Sequence, residues 1–95
     1  MSRFFLTEAA KSDLEEIHDF IFLDSPGAAA RVRTALRDAM RRLARNPRLG
    51  HLRADLADEP LRFWQVYSYL IVYRAESDPL QIVRVLHASR DVKGD

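Results

Sequence analysis

The chain has 95 residues, 47% of them hydrophobic and 31% charged, with a formal net charge of +1 and no cysteine. That length fits one domain over residues 1–95, the composition is globular rather than disordered, and no disulfide framework or thiolate metal site can form without cysteine. Charges follow Thr7 too closely for a signal peptide, and no apolar run approaches the ~20 residues that cross a bilayer, so a soluble cytoplasmic protein with no membrane association is expected.

Arg3 to Thr7 reads as a short strand running straight into a helix, with Thr7 as N-cap and Glu8 at the positive end of the dipole. Ala10, Leu14, Ile17 and Ile21 recur at helical spacing and form one apolar stripe, while Asp13, Glu16 and Asp19 lie off it as an acidic flank. Phe20 and Phe22 fall to either side of the stripe, as rim packing or as part of a docking surface.

Ser25-Pro26-Gly27 ends this helix and opens a second, with Ser25 as N-cap and Pro26 at the first helical position. Ala29, Val32, Leu36, Ala39, Met40 and Leu43 form its apolar face. Arg31, Arg33, Arg37, Arg41, Arg42 and Arg45 occupy about half of the circumference opposite, by the 3.6-residue period. From Arg31 to Arg53 there are eight arginines against one acid, Asp38, whereas Met1 to Ala30 holds six acids and two basic residues. This arc reads as a solvated face, or as one that meets the acidic flank of the first helix. Asn46 to Gly50 stops the helix, with Pro47 lacking an amide proton and Gly50 allowing a left-handed turn. So short a join between the helices requires an antiparallel hairpin.

His51 to Pro60 reads as a polar connection. Three β-type runs follow, Arg62–Tyr67, Tyr69–Ala75 and Gln81–Ala88, the middle one apolar on both faces as in a doubly covered strand. Glu76 to Pro79 turns the last two into a hairpin. The expected fold is α+β, in the order β-α-α-β-β-β, with the N-terminal strand and helical hairpin packed on a mostly antiparallel sheet.

Three stretches carry a resemblance. They are Leu6 to Ile17 followed by Ala29 and Arg31; Leu43-Ala44-Arg45-Asn46-Pro47-Arg48-Leu49-Gly50; and Tyr69 to Arg74 followed by Ile82 to His87 and Arg90-Asp91. In this order, over nearly the whole chain, they resemble the ParE/RelE superfamily of type II toxin–antitoxin toxins. The resemblance implies the compact toxin fold, growth arrest in the absence of a cognate antitoxin, and a hetero-oligomer with that antitoxin. ParE-like members of the superfamily target DNA gyrase, and RelE-like members cut mRNA on the ribosome.

A ribonuclease needs a base for the ribose 2′-hydroxyl, an acid for the leaving oxygen and cations for the phosphorane. His87 and Arg90 form the best local cluster, with Arg62, Arg53 and His51 near the connection before the sheet. RelE-like nucleases commonly carry an acid/base tyrosine near the C-terminus and are strongly basic. Here Tyr67, Tyr69 and Tyr73 all come earlier, and the net charge is +1. His87, between apolar strand neighbours, also reads as a structural, hydrogen-bonded residue. No catalytic set is therefore assigned, and a ParE-like inhibitor that binds gyrase and is neutralised by a ParD-like ribbon-helix-helix antitoxin is expected. The alternatives are a ribosome-dependent mRNA endonuclease using His87, Arg90, Arg62 and His51, and a non-toxic, antitoxin-bound co-repressor.

Antitoxins of this family lay a helix and an extended tail over the toxin, which points to the hairpin flank and the exposed sheet. Surface placement makes Phe20, Phe22, Arg33, Arg37, Trp64 and Arg74 the expected partner contacts, with Trp64 readable equally as core or interface. His18, His51 and His87 are scattered, so no metal site is expected. Gly27, Gly50 and Gly94 are isolated, so neither a phosphate-cradling loop nor a bound cofactor is expected.

Overall fold

The structure, a computed structural model, describes residues 3–53, 55–56 and 59–89. The chain runs β1 (Phe4–Leu6), α1 (Glu8–Asp24), α2 (Pro26–Arg45), β2 (His51–Leu52), β3 (Arg62–Val66), β4 (Tyr69–Arg74) and β5 (Leu80–His87). The five strands form one sheet in the order β1-β5-β4-β3-β2, in which only the β1–β5 pair is parallel. This is the expected α+β arrangement with one strand added: His51 and Leu52, read as connection, pair with Phe63 and Arg62. Two residues are too short a run for side-chain alternation to show.

Caps shape the hairpin as the sequence suggested. Thr7 Oγ1 accepts from Ala10 N at 3.1 Å and donates to the Val83 carbonyl at 2.8 Å, so one hydroxyl starts α1 and ties it to β5. Ser25 is the single residue between the helices. Its N–H closes α1 on the Ile21 carbonyl, and its Oγ accepts from Ala28 N to open α2. Such caps are worth ~1 kcal/mol each.

Hairpin and sheet bury one cluster between them, built on Ala10, Ile17, Leu36, Met40, Leu43, Ile71, Tyr73, Ile82 and Val85. The opposite sheet face carries a second, smaller cluster of Leu61, Phe63, Leu70 and Val72, with Leu56 of the 53–61 connection packed against it. β4 is thus apolar on both faces because both are covered. No helix among the described residues is long and apolar enough to cross a membrane.

β1 leaves the sheet at Thr7, so the edge of β5 beyond Ile82 loses its neighbouring strand. Asp13 of α1 takes its place there. Its carboxylate accepts from Val85 N at 2.9 Å and from Arg84 Nε and Nη2 at 2.7 and 2.9 Å. The β4–β5 register shifts between Val72 and Tyr73, which marks a bulge beside this clasp.

Gly50 departs from the sequence-based expectation. No glycine among the described residues has a positive φ. Glycine is required at this position by contact: a Cβ would lie 2.8 and 2.9 Å from Cε1 and Cζ of Tyr73, and closer still to its hydroxyl. The left-handed residue is instead Tyr67, with φ 53°, in the two-residue turn between β3 and β4.

Candidate functional site

The α1–α2 hairpin encloses a groove of about 380 Å³. Its floor is apolar, made by Leu14 and Ile17 of α1 with Val32 and Leu36 of α2, which are inner-face residues of an amphipathic pair. Its two walls differ in charge. Glu15, His18 and Asp19 stand on the α1 side together with Lys11, whose ammonium pairs with Glu8 at 3.4 Å, while Arg33 and Arg37 stand on the α2 side. Among the described residues neither arginine makes an ion pair; Asp19 instead lies 3.6 Å from His18 Nδ1. An apolar floor between opposite charges is suited to an amphipathic helix carrying charge on both flanks.

The six expected partner contacts fall in separate places. Arg33 and Arg37 line the groove, and Phe22 adjoins it by ring contact with His18 at 5.5 Å. Phe20 lies on the same helix, 71% exposed. Trp64 is elsewhere, half-buried on the hairpin side of β3, with Arg42 Cζ 5.7 Å from its ring centre and the His51 ring stacked at 6.4 Å. It serves as core on one side and surface on the other. Arg74 is at the end of β4 and donates to Glu59 at 2.9 Å.

The nuclease candidates do not converge. Arg62 donates to the Gly50 carbonyl at 2.7 Å and holds the turn after α2. Tyr73 completes that hold, donating to the Pro47 carbonyl at 2.6 Å and accepting from Gly50 N at 2.8 Å. The Tyr73 hydroxyl is pushed above its ordinary pKa, chiefly because burial disfavours the phenolate. That hydroxyl is committed to the two hydrogen bonds of this turn. His51 lies on β2 and His87 on β5, three strand intervals apart. At about 4.8 Å per interval that is about 14 Å, too far for one reacting phosphate. His87 Nδ1 faces Ser89 N at 3.3 Å and Ser89 Oγ at 3.0 Å, and its ring meets Tyr69 edge-on at 5.3 Å. Arg90 lies outside the described residues. Arg53 pairs with Asp55 at 2.8 Å. Among the described residues, no three His, Cys, Asp or Glu side chains come together to hold a metal ion.

Residues 4–92 match the family model described as ParE toxin of type II toxin-antitoxin system, parDE. The chain belongs to the ParE toxin family. A solved structure described as the chromosomal ParDE TA system from P. aeruginosa has the same fold, with a TM-score of 0.72 at 21% identity, covering 92% of this chain and 96% of that one. A comparison with curated proteins gave no significant match. The ParE fold explains why the three resembling stretches lie so far apart in sequence. They are the start of the hairpin, its exit into β2, and the two central strands, which are the parts that meet in the core.

Sequence reasoning placed Asp19 on an acidic flank with Asp13 and Glu16 but missed Glu15, which shares the groove wall with Asp19. A helical projection at 100° per residue carries the signal: Asp13 falls on the sheet side of α1, whereas Glu15 and Asp19 fall toward α2. It also missed the Tyr73–Gly50 contact, which joins positions 23 residues apart and leaves no local pattern.

Proposed function

We propose that this ParE-family protein is a toxin that acts by binding DNA gyrase, and that a ParD-like antitoxin neutralises it by laying a helix in the α1–α2 groove. The observation that carries the antitoxin half is the groove itself: an apolar floor with Arg33 and Arg37, which have no ion-pair partner among the described residues, on one wall and Glu15 and Asp19 with Lys11 on the other. Family membership supports the toxin role and the gyrase target. Binding without catalysis is supported by what the nuclease candidates do here. Arg62 is committed to a turn carbonyl, and His51 and His87 stand at opposite sides of β3 and β4.

Supercoiling by purified gyrase in the presence of the full chain tests the reading. Inhibition or trapped cleavage complexes at excess toxin are expected, reversed by a cognate ParD-like antitoxin. Full gyrase activity together with fresh mRNA ends on programmed ribosomes would replace this reading with the endonuclease. An Arg33→Glu, Arg37→Glu variant is expected to inhibit gyrase while losing most of its antitoxin affinity, which separates the two halves.

A further inference from the structure

Outside the groove, whose wall holds Arg33 and Arg37, two groups of arginines stand out. Arg41, Arg53, Arg74 and Arg84 each have a carboxylate at 2.7–2.9 Å. Arg31, Arg42, Arg45 and Arg48 are exposed and, among the described residues, have no ion-pair partner. The second group is not scattered. Arg31, Arg42 and Arg45 fall with Arg41 within about 100° of the α2 circumference, centred opposite the buried Leu36, Met40 and Leu43. Arg31 to Arg45 is 14 residues, about 21 Å at 1.5 Å per residue. Arg48 continues the line past the helix end, where Arg45, Arg48 and Arg62 line an open recess of about 590 Å³ with Glu76 also in its wall.

Two further features show that this face is arranged and not merely charged. Every cation of α2 is arginine, and none is lysine. Arginine's planar fork matches phosphate oxygens in pairs, while lysine offers a point charge. Arg42 is also held in place over the Trp64 ring at 5.7 Å, so less freedom is lost when it binds.

We propose that the outer face of α2, continued by Arg48, docks on the phosphate backbone of duplex DNA. Charge complementarity selects a polyphosphate, and shape selects the duplex. Proteins that bind single strands track the backbone along a groove and stack its bases on aromatic side chains. This face is the convex side of a helix, and its one aromatic, Trp64, is half-buried and already covered by Arg42. Duplex RNA is read largely through its 2′-hydroxyls, by polar side chains. Apart from Asp38 and the arginines, the outer arc offers one hydrogen-bonding side chain, Thr34. A row of guanidinium groups along one helix face, one of them held over Trp64, fits the regular phosphate array of a DNA duplex. The surface lies apart from the Arg33–Arg37 wall, so docking does not depend on the antitoxin or gyrase reading.

The test is fluorescence anisotropy of a labelled 20-base-pair duplex with the full chain between 50 and 200 mM NaCl, with Trp64 emission, from the only tryptophan, as a second readout. Four neutralised phosphates give a log–log salt slope of about −3.6, a loss of roughly a hundredfold in affinity across that range. Replacing Arg31, Arg42, Arg45 and Arg48 by glutamine is expected to weaken binding at 50 mM NaCl at least tenfold and to flatten the slope, with an unchanged circular-dichroism spectrum. Replacing Arg53 and Arg74, which are ion-paired, is expected to leave affinity within twofold. If the fourfold variant does not fold, Arg45→Gln and Arg48→Gln singly must each reduce the slope by about one. Unchanged affinity in the arginine variants overturns the proposal. So does equal loss in the Arg53, Arg74 control, or equal binding to single-stranded RNA or anionic vesicles.

Discussion

Two regions of the molecule treat polar groups in opposite ways. At the exit of α2, two polar side chains are spent on one turn: Tyr73 and Arg62 hold Pro47 and Gly50 through three bonds of 2.6–2.8 Å. In the α1–α2 groove, acids and arginines face each other across an apolar floor without pairing to one another, and among the described residues Arg33 and Arg37 have no ion-pair partner. The first arrangement satisfies buried groups and fixes a chain reversal, and a missing partner there leaves a desolvated donor or acceptor. The second keeps its charges solvated, where they add little to stability and remain available to a partner. The contrast teaches where to look for function: at polar groups the fold has not used.

Gly50→Ala should break the first region most severely. The added methyl group collides with the Tyr73 ring and hydroxyl, and overpacking plus the lost hydrogen bonds should cost about 3 kcal/mol in urea unfolding. Adding Tyr73→Phe should recover part of that loss, because it removes the nearest atom; additive costs would show that the two residues are not coupled. Asp13→Ala should cost about 2–3 kcal/mol, since it leaves Val85 N and Arg84 without their carboxylate. Tyr73→Phe alone should cost about 1–2 kcal/mol by leaving Gly50 N and the Pro47 carbonyl unsatisfied.

Alkaline titration sharpens the same point. Because the Tyr73 pKa is raised in the folded state, its contribution is fully present below the unfolded value, about 10, and is lost as pH rises through the folded value. The wild type should therefore lose stability above about pH 10, and Tyr73→Phe should lose less over the same interval. The smallest effect on stability belongs to the groove. Arg33→Glu with Arg37→Glu should leave the melting temperature nearly unchanged, while calorimetric titration shows antitoxin affinity falling at least tenfold. A large drop in melting temperature would place these arginines in the fold rather than in recognition.

Much of the architecture is legible in the sequence because it rests on local rules. Thr7 and Ser25 mark helix ends through hydroxyls that bond within three residues, and Pro26 through its fixed φ at the first helical position. The stripes of Ala10–Ile17 and Leu36–Leu43 mark inner faces by their period, and Tyr69–Tyr73 marks a covered strand by having no polar face. Those features, with the three resembling stretches, determined the α+β fold and the ParE assignment. Only the tertiary structure decided what the polar residues do. Arg62 became a turn clamp, Asp13 a stand-in for a missing strand, and Gly50 a point of contact, because each role is set by a partner 12 to 72 residues away. The +1 total hid the same kind of information. Net charge is a sum over the sequence, but which arginines of α2 lack a carboxylate among the described residues emerges only when the partners of Arg41, Arg53, Arg74 and Arg84 have been located in space.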